Sequence, residues 1–563
     1  MNKGHKKSFV QRLLRIFLIA LGIIVLSVIV FAILIYVPAP DVNKNLSPAS
    51  YSRHAIADGY AVNNCYLIKN QYGIYEMYIE GDDYERGLIY GVLAKELIET
   101  QESFFVNQIN QLVPNKLYQY FLKLLVAWFN KDIYKYIQVE NLREIYGVSK
   151  SFSDKYDYIG PKYYRILNYH AAHDIGHALN DYNLVGCTSF SVNKNLSADS
   201  SLLIARNFDF YLGDDFAKNK LIVFVKPTKG YKYASYSWAG FTGVVSGMNE
   251  KGLTVTINAS KSDVPFGSKT PISILAREIL QYAKNIEEAI AIAKKRETFV
   301  SETLLIGSAE DNRAELIEKS PTKMDTYISS DNYLICSNHY QGDVFMKDAV
   351  NLENIDNSDS KFRYARVKEL LAPQLPLDYK EAVNILRNKE GANEKNIGYG
   401  NPKSLNQLLA LHAVVFKPQQ MQMWISTAPY QLGKFICYDL NKALCGETKN
   451  KIDSLIIDDD PFLATAEYKN YEAFKIIKQK IFKYTMLGIP LTLSDQEIKT
   501  FISDNPNSYI TYMELGDYYR KRNEYPAAVN YYEQSLKREV ASENEVENIK
   551  HRMELCKKEI KNW

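Results

Sequence analysis

Ile16 to Val37 is an uncharged apolar run, preceded by Lys3, His5, Lys6, Lys7, Arg12 and Arg15. As one helix it is long enough to cross a hydrocarbon core of about 30 Å. A secretory signal has a shorter apolar core, about 7–15 residues, and a small-residue cleavage site. Here the run is longer and ends in Tyr36-Val37-Pro38-Ala39-Pro40, so it reads as an uncleaved anchor. Its basic flank stays cytoplasmic, which puts the chain after Pro40 on the outer side of the membrane. The organisation that follows is a cytoplasmic tail (1–15), a transmembrane helix (16–37) and a Pro/Asn/Ser linker (38–57).

At 563 residues, 46% hydrophobic and 24% charged, the whole chain has the length and composition of two to four folded domains. Its 68 basic and 65 acidic residues nearly cancel, which argues against nucleic acid as a partner. Val62 to Ile79 reads as strands, and Tyr84 to about Asn180 as helices with two amphipathic, aromatic-rich pieces, Leu117 to Phe129 and Ile133 to Tyr146. Leu124-Leu125-Val126-Ala127-Trp128-Phe129 is too short to span a membrane and is read as core.

The centre of the chain is a candidate hairpin. Leu184-Val185-Gly186-Cys187-Thr188-Ser189-Phe190-Ser191-Val192 and Leu202-Leu203-Ile204-Ala205-Arg206-Asn207-Phe208-Asp209-Phe210 alternate apolar and small polar residues across the turn-rich segment Asn193 to Ser200. A cysteine is nucleophilic as thiolate, so it needs a cation or base beside it. Arg206 is of the right type, and Asp209 can orient the group that takes the proton. A lone cysteine at a strand start is otherwise a small buried hydrophobe.

Gly186-Cys187-Thr188-Ser189-Phe190 with Arg206-Asn207-x-Asp209 resembles the acyl-CoA:6-aminopenicillanate acyltransferase family of N-terminal-nucleophile (Ntn) hydrolases. It is more distantly similar to choloylglycine hydrolases and penicillin V acylases. The resemblance implies a precursor that cuts itself at Gly186–Cys187 and then uses the new terminal cysteine as nucleophile. The α-amino group, with an ordinary pKa near 7.7–8.0, is then a usable base. The turn and strand from Gly247 to Asn258 resemble the family segment whose asparagine serves the oxyanion hole, Asn258 here, and Tyr333 to Tyr340 resembles the second asparagine-bearing strand, Asn338 here. Ser360-Lys361-Phe362-Arg363-Tyr364-Ala365-Arg366 resembles the Ser-x-x-Arg-aromatic-x-Arg segment and points to Arg363, with Arg366 as the alternative register. Gly81 to Gly91 resembles the glycine-spaced helix start that precedes the nucleophile in that family. The candidate catalytic set is therefore Cys187, Arg206, Asp209, Asn258, Asn338 and Arg363, with no cofactor and no metal.

The expected fold is α+β, a four-layer αββα sandwich. A pre-nucleophile region (58–186) precedes a catalytic region (187–457), and a helical region (458–563) follows. Pro271 to Lys295 reads as a helix pair, Thr303 to Lys319 as strands, and Leu377 to Arg387 and Ser404 to Leu411 as helices. His412 to Phe416 and Met421 to Ser426 read as a closing hairpin, with Phe435 to Leu440 a further strand. Tyr512, Leu515, Gly516, Tyr519, Ala528, Tyr532 and Ser535 match one tetratricopeptide-like repeat, either a site for a protein partner or a packing appendage. Cys437 and Cys445 are close enough in sequence to pair around a hairpin.

The reading is a membrane-anchored, outward-facing cysteine amidohydrolase or acyltransferase acting on a small-molecule or lipid-like acyl substrate. Two rivals stand beside it. One is a zinc-dependent hydrolase using His173 and His177, which lie at i and i+4 with His170 nearby. The other is a catalytically inactive, membrane-tethered scaffold working through the C-terminal repeat.

Overall fold

A computed structural model describes residues 4–171, 186–263 and 267–562. Its strands are β1 (His54–Ile56), β2 (Gly59–Val62), β3 (Cys65–Lys69), β4 (Tyr75–Gly81), β5 (Thr188–Val192), β6 (Leu203–Phe208), β7 (Leu221–Pro227), β8 (Tyr233–Ser237) and β9 (Ser246–Asn249). They continue with β10 (Leu253–Ala259), β11 (Glu302–Ser308), β12 (Arg313–Lys319), β13 (Met324–Tyr327), β14 (Tyr333–Cys336), β15 (His412–Lys417), β16 (Gln422–Ser426) and β17 (Phe435–Asp439).

Two sheets form, one of eleven strands in the order β1-β2-β3-β4-β7-β8-β9-β10-β11-β12-β13 and one of six in the order β14-β5-β6-β15-β16-β17. The β4–β7 pair is parallel, because the helices between these strands and the β5–β6 hairpin of the other sheet intervene in the chain. Side-chain alternation sorts the layers. Leu221, Val223 and Val225 of β7 pack against helices on the outer face of the large sheet. Ile222 and Phe224 meet Ile204, Val414 and Ile425 of the small sheet. Phe190, Leu203 and Trp424 face the helices Ser360–Leu371 and Tyr379–Leu386 on the far side. Helix, sheet, sheet, helix is the four-layer sandwich expected.

The helix Asp83–Leu93 crosses the helix Val139–Ser149 in close contact, since a Cβ on Gly87 would meet the Glu144 carbonyl oxygen at 2.1 Å. Behind that crossing, Glu144 is buried between Arg86 and Arg277, with Arg277 Nη2 donating at 2.5 Å. Burial alone raises the Glu144 pKa, yet the guanidiniums of Arg277 and Arg86 outweigh it and hold the carboxyl at about 2. Arg277 also donates to the Thr242 carbonyl at 3.0 Å. The Thr242 N–H in turn donates to His170 Nε2 at 2.9 Å. That fixes the His170 proton on Nδ1, which donates to the Ile166 carbonyl, and burial lowers the ring's pKa to about 4. This network anchors the helix Lys162–His170, the last described element before Gly186.

The N-terminal helix Gly4–Leu34 is long and apolar enough over Gln11–Leu34 to cross a membrane, and none of that stretch is buried in the protein. The C-terminal helices Ala466–Leu487, Asp495–Asp504, Tyr509–Lys521, Tyr525–Leu536 and Glu543–Asn562 form one core that also takes in Leu408, Ala410, Tyr430 and Leu432. The repeat-like segment therefore packs on the sandwich. Asn505 and the Tyr399 backbone exchange two hydrogen bonds, and Lys403 pairs with Glu539 at 2.8 Å.

Three expectations are corrected. Leu124 to Phe129 is helical but not core, for no residue of the helix Lys116–Phe129 is buried. Ser404 to Leu411 is not a helix: Leu408 has φ of +53°, and Asn406 N–H bonds to the Asn388 carbonyl rather than to a preceding turn. All six cysteines are free thiols, Cys437 buried and Cys445 exposed.

Gly87→Val is expected to lower stability by about 1–3 kcal/mol through overpacking, whereas Gly160→Ala, with nothing within 4 Å of its Cβ position, should be close to neutral. Denaturant midpoints of the two variants beside wild type decide this, and equal midpoints would remove the close crossing from the account.

Candidate active site

The site lies where β5 begins and β6, β10 and β14 end. By strand alternation Cys187 points the same way as Ser189 and Ser191, and Arg206 the same way as Ile204, into the space between the sheets. Arg206 is fully buried there. Its Nη1 donates to the Val245 carbonyl at 2.9 Å and to Ser246 Oγ, and its Nη2 donates to the Ile257 carbonyl and to Cys187 Sγ at 3.8 Å. Ser246 Oγ in turn meets His412 Nε2 at 2.9 Å.

Cys187 has no solvent exposure. Burial pushes its thiol up to about 11, opposed by the Arg206 charge and by a hydrogen bond from the Asp209 backbone. Near neutral pH it is a thiol, not a thiolate. Asp209 is also fully buried, and burial raises its carboxyl to about 8 against the pull of Arg363 and Arg206. A carboxyl in that range can exchange a proton with a neighbour near neutral pH. Among the described residues its Oδ1 has no hydrogen-bond partner.

Arg363 ties the other side. Its Nη1 donates to the Cys187 carbonyl at 2.7 Å and to Thr188 Oγ1 at 2.9 Å, and its Nη2 donates to Asn338 Oδ1 at 2.8 Å and Asp359 at 2.9 Å. Arg366 lies away from this cluster, on Asn388 and Glu394. Asn258 accepts from Ser189 Oγ at 2.9 Å and donates to the Cys336 and Ser337 carbonyls at 3.2 and 3.3 Å. Asn338 donates to the Ala259 carbonyl at 2.8 Å. In this state the Asn258 amide has both N–H groups committed, whereas Asn338 has one without an acceptor among the described residues.

The sequence reading missed Gln407. Its Nε2 donates to the Gly186 carbonyl at 3.0 Å and lies 3.4 Å from Asp209 Oδ2, while the Gly186 N–H donates to the Asp209 carbonyl at 3.0 Å. A Cβ on Gly186 would sit 2.5 Å from Gln407 Nε2, so a larger residue here would displace the amide from its present position. The Gly-Tyr-Gly-Asn-Pro run at 398–402 is the sequence signal of the loop that carries Gln407.

Phe210, the residue after Asp209, lines a small aromatic pocket of about 40 Å³, walled also by Phe105, Phe152, Trp238 and Phe241, with Glu102 at its border. Among the described residues no group of three or more His, Cys, Asp or Glu is placed to hold a metal ion. His173 and His177 lie outside the described residues. His170 has both ring nitrogens engaged, on the Ile166 carbonyl and on Thr242.

Residues 196–429 match the model of the acyl-coenzyme A:6-aminopenicillanic acid acyl-transferase family, a span that holds Arg206, Asp209, Asn258, Asn338, Arg363 and Gln407 but begins after Cys187. The chain resembles that family. An uncharacterized protein of Archaeoglobus fulgidus is 26% identical over 254 residues, 42% of this chain and 42% of the relative. Protein dcd1A of Dictyostelium discoideum is 26% identical over 276 residues, 45% of this chain and 59% of the relative. The chain spans about half the length of the curated relatives it matches. Among solved structures, a Caenorhabditis elegans N-acylethanolamine-hydrolyzing acid amidase ortholog is similar at a TM-score of 0.31 and 17% identity, over 41% of this chain and 93% of that one. Penicillin V acylase from Agrobacterium tumefaciens is similar at 0.31 and 15%, over 49% and 98%.

The raised Asp209 carboxyl gives a pH signature. An acid ordinarily near 3.9 but near 8 when folded contributes stability that is complete below the lower value and lost as pH rises through the upper one. In a Cys187→Ala background, which keeps the chains comparable, Asp209→Asn should lose less stability than its parent between pH 5 and 8. Melting curves across that range test it, and parallel curves would contradict the raised pKa.

Proposed function

We propose that this protein is an Ntn-type cysteine amidohydrolase or acyltransferase that activates itself by cutting Gly186–Cys187. The observation that carries the reading is the Gly186 carbonyl held by Gln407 Nε2, directly before a thiol that faces Arg206 and Asp209. In the fraction of chains whose Asp209 is ionised, the thiol adds to the Gly186 carbonyl carbon as its proton passes to that carboxylate, and Gln407 donates to the developing oxyanion. The Gly186–Cys187 bond then breaks, with the proton delivered to the leaving nitrogen. Water hydrolyses the thioester, leaving a Gly186 carboxylate and a Cys187 that carries both a free thiol and a free α-amino group.

In the mature protein that α-amino group replaces Asp209 as the base. Cys187 attacks the acyl carbonyl of the substrate, the amine leaves with the proton, and water or an acceptor amine resolves the acyl-enzyme. Asn338, with its uncommitted N–H, and Asn258, once it exchanges one carbonyl partner, serve the oxyanion. Arg206 lowers the thiol pKa, and Arg363 holds the Cys187 backbone. The small aromatic pocket beside Phe210 receives the end of an apolar acyl group. The N-terminal helix anchors the protein with its basic end in the cytoplasm and the catalytic region outside. There a hydrolytic reaction, or transfer from a lipid or peptide donor, is favoured over use of an acyl-CoA. The C-terminal helices brace the loop that carries Gln407, and their outer face remains open to a protein partner.

Intact mass and N-terminal sequencing of wild type, Cys187→Ala and Gln407→Ala test this together. Wild type should yield a fragment beginning at Cys187, and Cys187→Ala only the full chain. Gln407→Ala should cut more slowly by about 10²-fold, the usual effect of removing one oxyanion donor. A wild type that stays full length would sink the self-activation. A Gln407→Ala chain cut at the wild-type rate would sink the role of Gln407 alone.

A further inference from the structure

Leu124 to Phe129, which the sequence reads as core, belongs to the helix Lys116–Phe129, and none of that helix is buried. Leu117 is 79% exposed, Phe121 58%, Leu125 45% and Trp128 43%, and spacings of four, four and three place them on one face. Soluble surfaces rarely leave a row of this size open.

Three further observations say what covers it. The Trp128 ring stacks on Phe31 of the N-terminal helix, with centroids 6.0 Å apart, so the open face begins beside the outer end of the apolar run. From Ser103 to Lys131 there is no Asp or Glu, while Lys116, Lys123 and Lys131 flank the apolar row. The Lys131 ammonium sits 3.7 Å from the Trp128 ring centroid, and Lys123 reaches the Tyr158 carbonyl at 2.7 Å. An apolar face with Trp at one end, basic residues at its edges and no acidic residue is the composition of a helix lying in a membrane interface, where lysines reach the headgroups and Trp sits at their level.

We propose that the helix Lys116–Phe129 lies on the outer leaflet of the bilayer that residues 16–37 enter, its Leu117, Phe121, Leu125 and Trp128 row seated among the lipid acyl chains. The proposal rests on the membrane-anchor reading. It makes the anchor a two-point attachment: the N-terminal helix tethers the body, and the interfacial helix fixes its orientation on the bilayer.

The test uses the full chain reconstituted in vesicles of phosphatidylcholine and phosphatidylglycerol whose acyl chains carry bromine, a contact quencher of indole emission. Subtracting the spectrum of Trp128→Tyr from that of wild type isolates Trp128 from the other three tryptophans. Trp128 emission should lose most of its intensity in brominated relative to ordinary vesicles. A second readout is an environment-sensitive dye on Leu117→Cys in a Cys445→Ser background, whose emission should shift to the blue when lipid replaces detergent. A chain that floats with the vesicles but keeps its Trp128 emission and its dye spectrum overturns the proposal and leaves the anchor standing. A chain that does not float overturns both. Cross-linking between two copies through position 117, with Trp128 unquenched, would assign the face to a second copy of the chain instead.

Discussion

Everything at the site depends on a guanidinium buried between two sheets. Arg206 has no solvent to hydrate it, and burial lowers its pKa. An uncompensated buried charge is costly, so the fold surrounds this one with acceptors: two backbone carbonyls of the large sheet, the Ser246 hydroxyl, the Cys187 sulfur and the face of Phe208 at 4.3 Å. The acceptors come from both sheets, so Arg206 fixes the spacing of the sandwich at this edge and at the same time sets the position of the thiol. His412, reached through Ser246, is held neutral, its pKa driven well down first by burial and then by the Arg206 and Lys220 charges. The negative charges that favour the guanidinium are a thiolate at Cys187 and an ionised Asp209, with Glu302 acting in the same direction.

The full-length chain has neither the thiolate nor the ionised Asp209 in quantity. The burial that raises the Cys187 thiol to about 11 also raises Asp209 to about 8, so near pH 7 the pair is mostly protonated and electrically quiet. Catalytic pKa values work best near the operating pH, and of the two groups only Asp209 is near it. That division matches the two stages of the proposed chemistry. A side-chain carboxyl serves once, for the cut, when no α-amino group exists. The amine created by that cut serves every later turnover, with an ordinary pKa close to neutral.

Local pattern made much of this readable in the sequence. The β5–β6 hairpin, the helix pair after Pro271 and the β15–β16 hairpin follow from alternation, helical periodicity and turn residues within short windows. Cys187, Arg206 and Asp209 then fall together because β5 and β6 pair in the register Ser189 to Arg206. Ser404 to Leu411 misled because Leu405, Leu408, Leu409 and Leu411 mimic a helical stripe. Their apolar character instead answers three separate cores, with Leu405 beneath the small sheet, Leu408 under the C-terminal helices and Leu411 beside the large sheet. Gln407 was hidden for the same reason, since its role depends on a loop pinned from more than a hundred residues away by Asn505 and Glu539. Leu124 to Phe129 misled in the opposite direction. Periodicity shows that a face is apolar, but not what covers it.

The C-terminal helices acquire a mechanical meaning from the same contacts. Gly398 has φ of +80°, and a Cβ there would meet the Ser508 backbone nitrogen at 2.4 Å, so loop and helical region are fitted at backbone distance. Asn401 donates to the Glu539 carbonyl at 2.8 Å, and Glu539 pairs with both Lys395 and Lys403. The loop leaves this clamp and runs through Ser404, which bonds back to the Asn401 carbonyl, to Gln407 at the Gly186 carbonyl. A donor that must meet one carbonyl oxygen has to be held to within a fraction of an ångström, and a loop without regular structure cannot supply that alone. The helical region supplies it from outside the sandwich. A helical unit that usually needs neighbours to bury its apolar face buries it here on the sandwich, and in doing so holds the loop that reaches the Gly186 carbonyl.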